Sequence, residues 1–295
     1  MVSRFLLMSQ KQDKLKLISV TIALTSYNEY YELLQQCLAS IAAQKGVRAR
    51  VLVLDQKEHS ETMNLCEILS SENIIFEYHV IPERGCAHSR NIALRLCSTD
   101  ILLWTDPDVL LAPDWAETLG NALRERNLTV VGGKILPHWY KSPSWYMKTN
   151  VMADHYSLID LGPEDRETDR IIGGSMGINV GLLGREVFFD EQLGRKDGTL
   201  LGGVDAEFCQ RVIRKGFTVF YVGRTTALHQ IPESRMKLSW IARKFYYGGM
   251  SRGMRGGWPR AMNKKRELTD YIVLGAFAPF YLFGLLKGKK KSRHA

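Results

Sequence analysis

Two acids, Asp106 and Asp108, have the residue type and spacing for metal or sugar chemistry, and they follow the apolar residues 101–104 after Thr105. Pro107 between them fixes the backbone and removes a hydrogen-bond donor, so the chain is expected to turn here. Carboxylates this close repel each other unless a cation or the hydroxyls of a ligand separate them. Asp108 could therefore hold a divalent metal that carries a diphosphate, and Asp106 the sugar of a nucleotide. The alternative is an ordinary Asp-Pro-Asp turn before a helix over residues 113–123.

The elements that must position these acids alternate between strand and helix. Apolar, β-branched runs predict strands, and apolar residues at helical spacing predict the helices between them. The predicted strands cover residues 17–24, 50–54, 74–81 and 101–104, and the predicted helices cover residues 30–43 and a stretch beginning near residue 87. Polar residues follow each strand, where open α/β sheets place their chemistry. The pattern predicts a Rossmann-like, doubly wound mixed sheet of the α/β class.

The second half of the sequence is less regular. Residues 127–135 predict another strand, and residues 137–170 form a long aromatic segment that is expected to bind a ligand. A helix is predicted over residues 204–215 with Gly216 as its C-terminal stop, followed by a strand over residues 217–222. This strand leads to a single histidine, His229, which on the residues alone could simply be a structural side chain at a strand end.

The composition changes after Pro232, and we expect a boundary there. Residues 234–255 predict a basic, aromatic surface helix that meets something apolar and anionic. Residues 271–286 carry no charge and lead into a lysine-rich tail, but Pro279 is expected to break the run and sixteen helical residues rise only about 24 Å. An interfacial segment is therefore expected, with a core helix and a full span as the alternatives. The expected parts are an extension (1–15), a catalytic domain (16–232) and a membrane-associating extension (233–295).

The overall composition limits the classes of partner. The chain has 295 residues and a formal net charge of +9, and its pI is near 9.3. Anions are thus the expected partners, and charge alone leaves nucleotides, nucleic acid and acidic lipid surfaces open. Five cysteines form no CxxC pair, which favours a reducing cytosol over a disulfide framework. The short apolar run near the N-terminus is too brief for a signal peptide, so no secretion is expected.

In combination and in this order, the motifs resemble glycosyltransferase family 2, the inverting enzymes of the GT-A fold, over residues 16–232. Residues 25–29, TSYNE, look like the end of that family's first nucleotide-binding strand, and Asp55 looks like its uracil-contacting acid. Residues 89–91, SRN, look like its base-binding arginine segment, and TDPDV looks like its DxD motif. Residues 202–208, GGVDAEF, look like its GED motif, and His229 stands where the family often has a second metal ligand.

The resemblance implies a metal-dependent enzyme that moves a sugar, with inversion, from a nucleotide-diphosphate donor, expected to be a UDP-sugar. Mn²⁺ or Mg²⁺ would be held by Asp108 and His229, and Asp205 would be the general base, with an N-cap as its structural alternative. The expected nucleotide-sugar ligands are Thr25, Tyr27, Asp55, Arg90 and Asp106, and Glu207 is expected to contact the acceptor. Thr25 and Asp55 could instead be ordinary strand-end or capping residues.

The expected setting is the cytoplasmic face of the cell membrane, with the protein peripheral or monotopic on an anionic surface. The acceptor is expected to be a glycan or lipid-linked glycan in polysaccharide biosynthesis, and nucleic acid is not expected as a partner. Val204 stands where the family usually has Glu, which keeps open a catalytically silent sugar-nucleotide or membrane-binding module. A nucleotidyltransferase is a further alternative, but it would need a glycine-rich basic loop after the first strand, and TSYNE is not one.

Overall fold

The computed structural model describes residues 17–26, 30–82, 85–184, 188–196, 198–255 and 266–292. Their strands are β1 (Ile18–Ser26), β2 (Val47–Asp55), β3 (Ile74–Val80), β4 (Ile101–Thr105), β5 (Val109–Leu111), β6 (Val130–Trp139), β7 (Arg166–Glu167), β8 (Met176–Asn179) and β9 (Val219–Ile231). Their helices are α1 (Tyr31–Ala42), α2 (Ser60–Leu69), α3 (Cys86–Leu96), α4 (Trp115–Glu125), α5 (Asn150–His155), α6 (Val180–Leu183), α7 (Val204–Arg214), α8 (Glu233–Met236), α9 (Leu238–Arg255) and α10 (Leu268–Ser292).

The described strands form one mixed sheet in the order β3-β2-β1-β4-β8-β6-β9-β5, and β7 pairs with β9 outside this path. The neighbours β3, β2, β1 and β4 are parallel, whereas β8 runs antiparallel to β4. Alternate residues of β1 enter two different cores: Ile22 packs with α1 and α4, and Ala23 packs with α3 and α7. Helices therefore cover both faces of the sheet, which confirms the predicted doubly wound mixed fold.

The structure differs from the sequence prediction after β6. Strand β9 does not end near residue 222 but continues to Ile231, because residues 226–231 pair in parallel with residues 134–139 of β6 after an irregularity at Gly133. His229 therefore lies inside a strand rather than after one. Residues 137–170 also contain regular structure, namely the end of β6, a 3-10 turn (Trp145–Lys148), α5 and β7.

The expected break at Pro279 does not occur. Helix α10 runs without interruption from Leu268 to Ser292, which corresponds to about 37 Å of rise. Pro279 removes one hydrogen bond to the carbonyl of Gly275, where the surroundings are open, and packing on α9 maintains the helix on both sides. By length and composition α10 could cross a membrane, and only 17% of its apolar window is buried. It is thus not the buried core helix that was one alternative.

Helices α9 and α10 touch through glycines. Each helix carries a Gly-x-x-x-Gly pair, Gly249 with Gly253 and Gly284 with Gly288, and a Cβ atom at any of the four would overlap the backbone of the opposite helix. Small residues at this spacing let two helix backbones approach closely, as they do in membrane proteins. The contact fixes α9 beside the sheet edge, where its side chains reach the site described next.

Candidate functional site

A cleft of about 1290 Å³ opens at the carboxyl ends of β1 and β4. Its floor contains Thr25, Asp106 and Asp108, and its far wall contains the start of α7 with Asp205. Residues 147–161 and helix α9 enclose the other sides. The edge that open α/β sheets use for ligands is therefore roofed by the aromatic segment and by the C-terminal helices.

Asp108 and His229 come together at one end of this cleft. Residues Val109 and His229 are partners across the β5–β9 pairing, and Nε2 of His229 lies 3.4 Å from Oδ2 of Asp108. Nδ1 of His229 is 2.6 Å from the carbonyl oxygen of Tyr156. Because a carbonyl only accepts, Nδ1 carries the proton and the lone pair of Nε2 faces Asp108. A hydrogen bond of this kind is the usual support of a metal-binding imidazole.

Arg235 lies against both of these side chains. Its Nη1 donates to Oδ2 of Asp108 at 2.5 Å and lies 3.1 Å from Nε2 of His229. Burial by itself raises the pKa of Asp108, but the charge of Arg235 holds that pKa well below the ordinary value. A buried carboxylate and an imidazole that share one cation have the donor atoms a hard or borderline divalent metal requires.

The pair fits a metal whose other ligands come from substrate. Within the described residues, no group of three His, Cys, Asp or Glu side chains could hold a metal ion by itself. Two protein ligands suit Mg²⁺ or Mn²⁺ that also binds phosphate oxygens and water. The structure thus brings Asp108 and His229 together as predicted, and their role as metal ligands stays a prediction.

Because Arg235 contacts both predicted ligands, it should compete with a metal for them. We expect Arg235→Met to raise the affinity for Mn²⁺ in the absence of nucleotide by at least about tenfold, since no charge-assisted hydrogen bond must then be broken. Mn²⁺ titration followed by electron paramagnetic resonance measures this directly. Arg243→Met is the matched control, because Arg243 also lines the cleft but donates to the carbonyl of Gly198. Equal Mn²⁺ affinity in Arg235→Met and the parent would show that the guanidinium does not compete.

Arg90 connects two further acids of the cleft, Asp205 and Asp106. Its guanidinium is hydrogen-bonded to Oδ1 of Asp205 and lies 3.8 Å from Oδ1 of Asp106. It packs against the rings of Trp104 and Phe189 at 5.2 and 5.3 Å, and only 4% of its side chain is exposed. Its Nε is buried without a hydrogen-bond partner among the described residues. Arg90 therefore holds two carboxylates in one orientation, and a direct contact with a nucleotide stays a prediction.

The environments of the acids differ. Although 38% of the Asp106 side chain is reachable from the cleft, burial raises its pKa, Arg90 opposes that shift and Asp108 adds to it. Asp205 is not the N-cap of α7, as the structural alternative supposed, because Gly203 with φ of 96° takes that position. Oδ2 of Asp205 instead accepts the backbone N–H of Gly173 at 3.0 Å. Its carboxylate is fixed by two donors while 26% of the side chain stays exposed.

The remaining predicted residues divide into three groups. Thr25 lines the cleft, whereas Tyr27 lies outside the described residues. Asp55 is fully buried and accepts from the Tyr78 hydroxyl at 3.1 Å and from the backbone N–H of Lys57. Glu207 faces Arg211 in a bidentate ion pair. The structure does not bring Asp55 or Glu207 into the cleft, so a uracil contact and an acceptor contact would each require their side chains to exchange partners.

The basic residues of the C-terminal segment are the main feature that the sequence did not reveal. Residues 234–255 were expected to form a basic, aromatic surface helix that meets something apolar and anionic, and the structure places several of their cations in the cleft. Arg235, Lys244, Arg252 and Arg255 all line the cleft, and Phe245 is buried against Phe277 of α10. Val204, where the sequence departs from the family pattern, is a buried core residue beside Gly194.

Tyr156 organises the metal end of the cleft from within the aromatic segment. Its carbonyl fixes His229, its hydroxyl donates to the carbonyl of Arg235 at 3.2 Å, and its ring stacks on Trp240 at 5.5 Å. The signal in the sequence was only the aromatic richness of residues 137–170. The position of Tyr156 shows that at least part of this segment supports the site from behind.

Comparison with known proteins gives the same family at the level of sequence. A family model described as "Glycosyl transferase family 2" matches residues 21–184, which is more than half of the chain. The succinoglycan biosynthesis protein ExoM of Rhizobium meliloti (strain 1021) is 24% identical over 221 residues, covering 73% of this chain and 68% of that protein. The pre-mycofactocin glycosyltransferase of Mycobacterium tuberculosis is 27% identical over 170 residues, covering 56% of this chain but 34% of that protein.

Two solved structures share the fold. The mannosyltransferase PcManGT of Pyrobaculum calidifontis, in complex with GDP-Man and Mn²⁺, superposes with a TM-score of 0.56 at 20% identity, covering 92% of this chain and 73% of that one. GalNAc-T7 with UDP, GalNAc and Mn²⁺ gives a TM-score of 0.53 at 15% identity, covering 82% of this chain and 51% of that one. At these identities the likeness extends to the fold alone.

Proposed function

The chain belongs to glycosyltransferase family 2, and on that premise we propose that it transfers a sugar, with inversion, from a nucleotide-diphosphate donor to a hydroxyl of a glycan or lipid-linked acceptor. The observation that carries this proposal is the arrangement of five side chains at one cleft. Asp108 and His229 stand at one end, and Asp106 and Asp205 follow, joined by Arg90. Glycosyl transfer requires side chains that bind a metal and a separate carboxylate that acts as the base, and both are present in this cleft.

The donor half of the cleft is suited to a diphosphate. Asp108 and His229 would hold Mn²⁺ or Mg²⁺, which when bound neutralises the charge that develops on the departing diphosphate. Arg235, Lys244 and Arg195 line the same region and supply positive charge from the protein. Thr25 and Asp106 would contact the nucleoside and its sugar. Two of the structural relatives contain GDP-Man or UDP with Mn²⁺, and we propose UDP on the basis of the family motifs.

The acceptor half would be served by Asp205. Its carboxylate would accept the proton of the acceptor hydroxyl as that oxygen attacks the sugar, so one proton passes to Asp205 while the nucleoside diphosphate leaves. Arg90 and the N–H of Gly173 orient the carboxylate without replacing it. In this scheme Arg90 is a positioning residue for Asp106 and Asp205, which adds to its predicted contact with the nucleotide.

Hydrolysis of a panel of nucleotide sugars with Mn²⁺ tests the proposal and identifies the donor. We expect the purified protein to release free sugar slowly from one or a few donors, with UDP-sugars preferred and with no release in the presence of a chelator. Binding of UDP without any hydrolysis, alone or with an acceptor, would instead support the silent-module alternative. Release of pyrophosphate from a nucleoside triphosphate would support a nucleotidyltransferase.

The donor affinity should depend on pH through Lys244. Burial first, and then Arg195 and Arg235, lower the pKa of Lys244 to about 7, while Asp106 and Asp108 act in the opposite direction. A bound diphosphate would stabilise the charged amine, so above pH 7 binding must take up a proton. We expect UDP affinity to fall as pH rises from about 7 to about 9, by up to roughly tenfold per unit.

The test is the calorimetric affinity for UDP with Mn²⁺ across this range, in paired buffers of different ionisation enthalpy. Lys244→Met should bind more weakly at pH 7, lose the proton uptake and flatten the profile. His155 does not confuse the measurement, because burial lowers its pKa to about 3. Lys215→Met, an exposed change at the end of α7, serves as the control. An unchanged slope in Lys244→Met would assign the pH dependence to another group.

We also propose that the protein acts at the inner face of the cell membrane and that residues 233–295, which follow the domain over residues 16–232, form its membrane-associating part. Helix α10 supports this, since it exposes large apolar side chains such as Leu282, Phe283 and Leu286 beside exposed Lys287, Lys290 and Lys291. Basic residues near an anionic surface contribute on the order of 1 kcal/mol each. Both an interfacial orientation and a span remain compatible with the length of α10.

Two variants separate the contributions to membrane binding. Replacing Lys287, Lys290 and Lys291 by Gln should weaken flotation with phosphatidylglycerol vesicles and remove its salt dependence. Replacing Leu282, Phe283 and Leu286 by Ser should abolish flotation even on neutral vesicles. Exposed Arg48, Arg124 and Arg214, changed together to Gln, are the charge-matched control. Equal flotation of the apolar variant and the parent would contradict membrane binding through α10.

A further inference from the structure

The cleft contains a second group of cations, at the end away from Asp108 and His229. It consists of Arg170, Arg252, Arg255 and Arg266, and all four line the cleft. Burial raises the pKa of the Tyr281 hydroxyl in α10, and the positive charges of Arg252, Arg255 and Arg266 oppose that shift. The Arg252 guanidinium donates to the same hydroxyl at 3.3 Å. We call this group the distal arginine cluster.

The distal arginine cluster is distinct from the cations around Asp108 and His229. The neighbouring charges that shift the pKa of Lys244 most strongly are those of Arg195, Arg235, Asp108 and Asp106. The neighbouring groups that shift the pKa of Arg255 most strongly are Arg170, Glu207, Tyr281 and Arg252. None of these four is among the groups that act on Lys244. Asp205 lies between them, since Arg90 ties it to Asp106 on one side. On the other side, the Arg255 guanidinium donates to the carbonyl of Gly203, two residues before Asp205.

Two members of the cluster, Arg255 and Arg170, have donor groups that no acid satisfies among the described residues. Among the described residues, Arg255 donates only to the carbonyls of Ser251 and Gly203 and has no carboxylate within ion-pair distance. Burial first, with Arg170 and Arg252 adding to it, lowers the pKa of Arg255. Arg170 pairs with Asp154 at 2.7 Å, but its Nε is buried without a partner in the described part of the chain. A partly buried cation without an acid, as Arg255 is here, is costly in a folded protein unless a ligand supplies the anion.

The residues around the cluster indicate whether an anion bound there belongs to the sugar donor or to the acceptor. The donor diphosphate is assigned to Asp108, His229 and their cations, whereas the distal cluster begins beyond the general base. Ser251 fixes this arrangement by accepting the N–H of Gly202 at 3.0 Å. Tyr281 of α10 contacts Arg252 of the cluster, and Leu274 of α10 also lines the cleft. An apolar chain attached to a phosphate at the cluster would therefore lie near α10, which exposes apolar side chains.

We propose that the acceptor is a phosphate-bearing glycan of the lipid phosphate or diphosphate class, whose phosphate binds Arg252 and Arg255, with Arg170 and Arg266 beside them, while its hydroxyl reaches Asp205. The inference rests on the proposed transfer to an acceptor at Asp205. Arginine suits this task because it binds phosphate oxygens in a bidentate manner and stays charged. The same chemistry would also accept a soluble sugar phosphate, and the choice of probes distinguishes the two.

The test measures binding to the full chain saturated with UDP and Mn²⁺, so that the donor end is occupied. The probes are farnesyl phosphate, farnesol and inorganic phosphate, titrated by calorimetry. We expect farnesyl phosphate to bind at least about tenfold more tightly than farnesol. If inorganic phosphate binds as tightly as farnesyl phosphate, the site takes phosphate alone and the acceptor is a soluble sugar phosphate. If it binds more weakly, the chain contributes and the acceptor is a lipid.

The variant Arg252→Gln with Arg255→Gln should lose at least about tenfold in affinity for farnesyl phosphate and keep its UDP affinity within about twofold. Arg214→Gln with Lys215→Gln removes the same charge from the exposed end of α7 and is the control. Retained UDP binding also shows that the variant is folded. Farnesyl phosphate affinity equal to that of the parent, or to that of farnesol, would overturn the inference. Failure of the parent to bind UDP with Mn²⁺ would instead count against the proposed function.

Discussion

Asp205→Asn is expected to lower the rate of sugar transfer by roughly 10²- to 10⁴-fold while leaving UDP affinity near that of the parent. The amide preserves the size of the side chain and can still accept the N–H of Gly173, but it cannot take a proton from the acceptor hydroxyl. Because Gly203 rather than Asp205 caps α7, the helix itself should be unaffected. Single-turnover transfer and UDP calorimetry on the same preparation measure the two effects separately.

The Asp205→Asn variant needs a control for its effect on stability, because its amide no longer neutralises the buried Arg90. The thermal midpoint of the variant should therefore fall by a few degrees, and transfer should be measured well below it. Asp160→Asn makes the same chemical change at another cleft-lining acid, whose Oδ1 accepts the N–H of Gly162 at 2.9 Å. Transfer by Asp205→Asn at the rate of Asp160→Asn would exclude Asp205 as the base and direct attention to Glu207.

Asp108→Ala is expected to abolish the Mn²⁺-dependent part of UDP binding. The variant leaves His229 as the single protein ligand of the metal and also leaves Arg235 without its carboxylate. One imidazole beside an unpaired guanidinium cannot retain a divalent cation, since the local charge then opposes it. Calorimetry with UDP, in the presence of Mn²⁺ and in the presence of a chelator, should give the same weak affinity for the variant.

The fold is expected to tolerate this change only in part, because a buried cation loses its partner. Asp108→Asn keeps the shape of the side chain and should show the same loss of metal dependence with a smaller fall in thermal midpoint. Asp100→Ala, at the opposite end of β4 and exposed, is the matched control. UDP binding by Asp108→Asn that still strengthens with Mn²⁺ as it does in the parent would remove Asp108 from the list of ligands.

The parallel half of the sheet and the positions of its acids followed from the sequence for a local reason. Buried parallel strands are continuous apolar runs, and the residues that end them must gather at one edge. That rule predicts Asp106 and Asp108 beside Thr25 without any knowledge of the chain's later course. It does not fix the direction of each side chain, since a strand-end acid can also turn inward, as Asp55 does toward Tyr78.

The rest of the site depends on contacts between residues that are distant in the chain. Arg235 and Asp108 are 127 positions apart, and His229 and Tyr156 are 73 positions apart. Helical periodicity and positive charge in residues 234–255 were equally compatible with a membrane surface and with a cleft wall. In the structure α9 packs closely on α10 through glycines, and its basic side chains line the cleft. The continuity of α10 through Pro279 has the same tertiary origin.

The central claim is that Asp108 and His229 hold the metal that carries the donor diphosphate. Crystals grown with UDP and Mn²⁺ and measured at the manganese absorption edge test it directly. We expect an anomalous peak in contact with Oδ2 of Asp108 and Nε2 of His229, with the diphosphate on its other side and Arg235 displaced from between the two ligands. A manganese peak elsewhere in the cleft, or a bound UDP with Arg235 still joining Asp108 and His229, would contradict it.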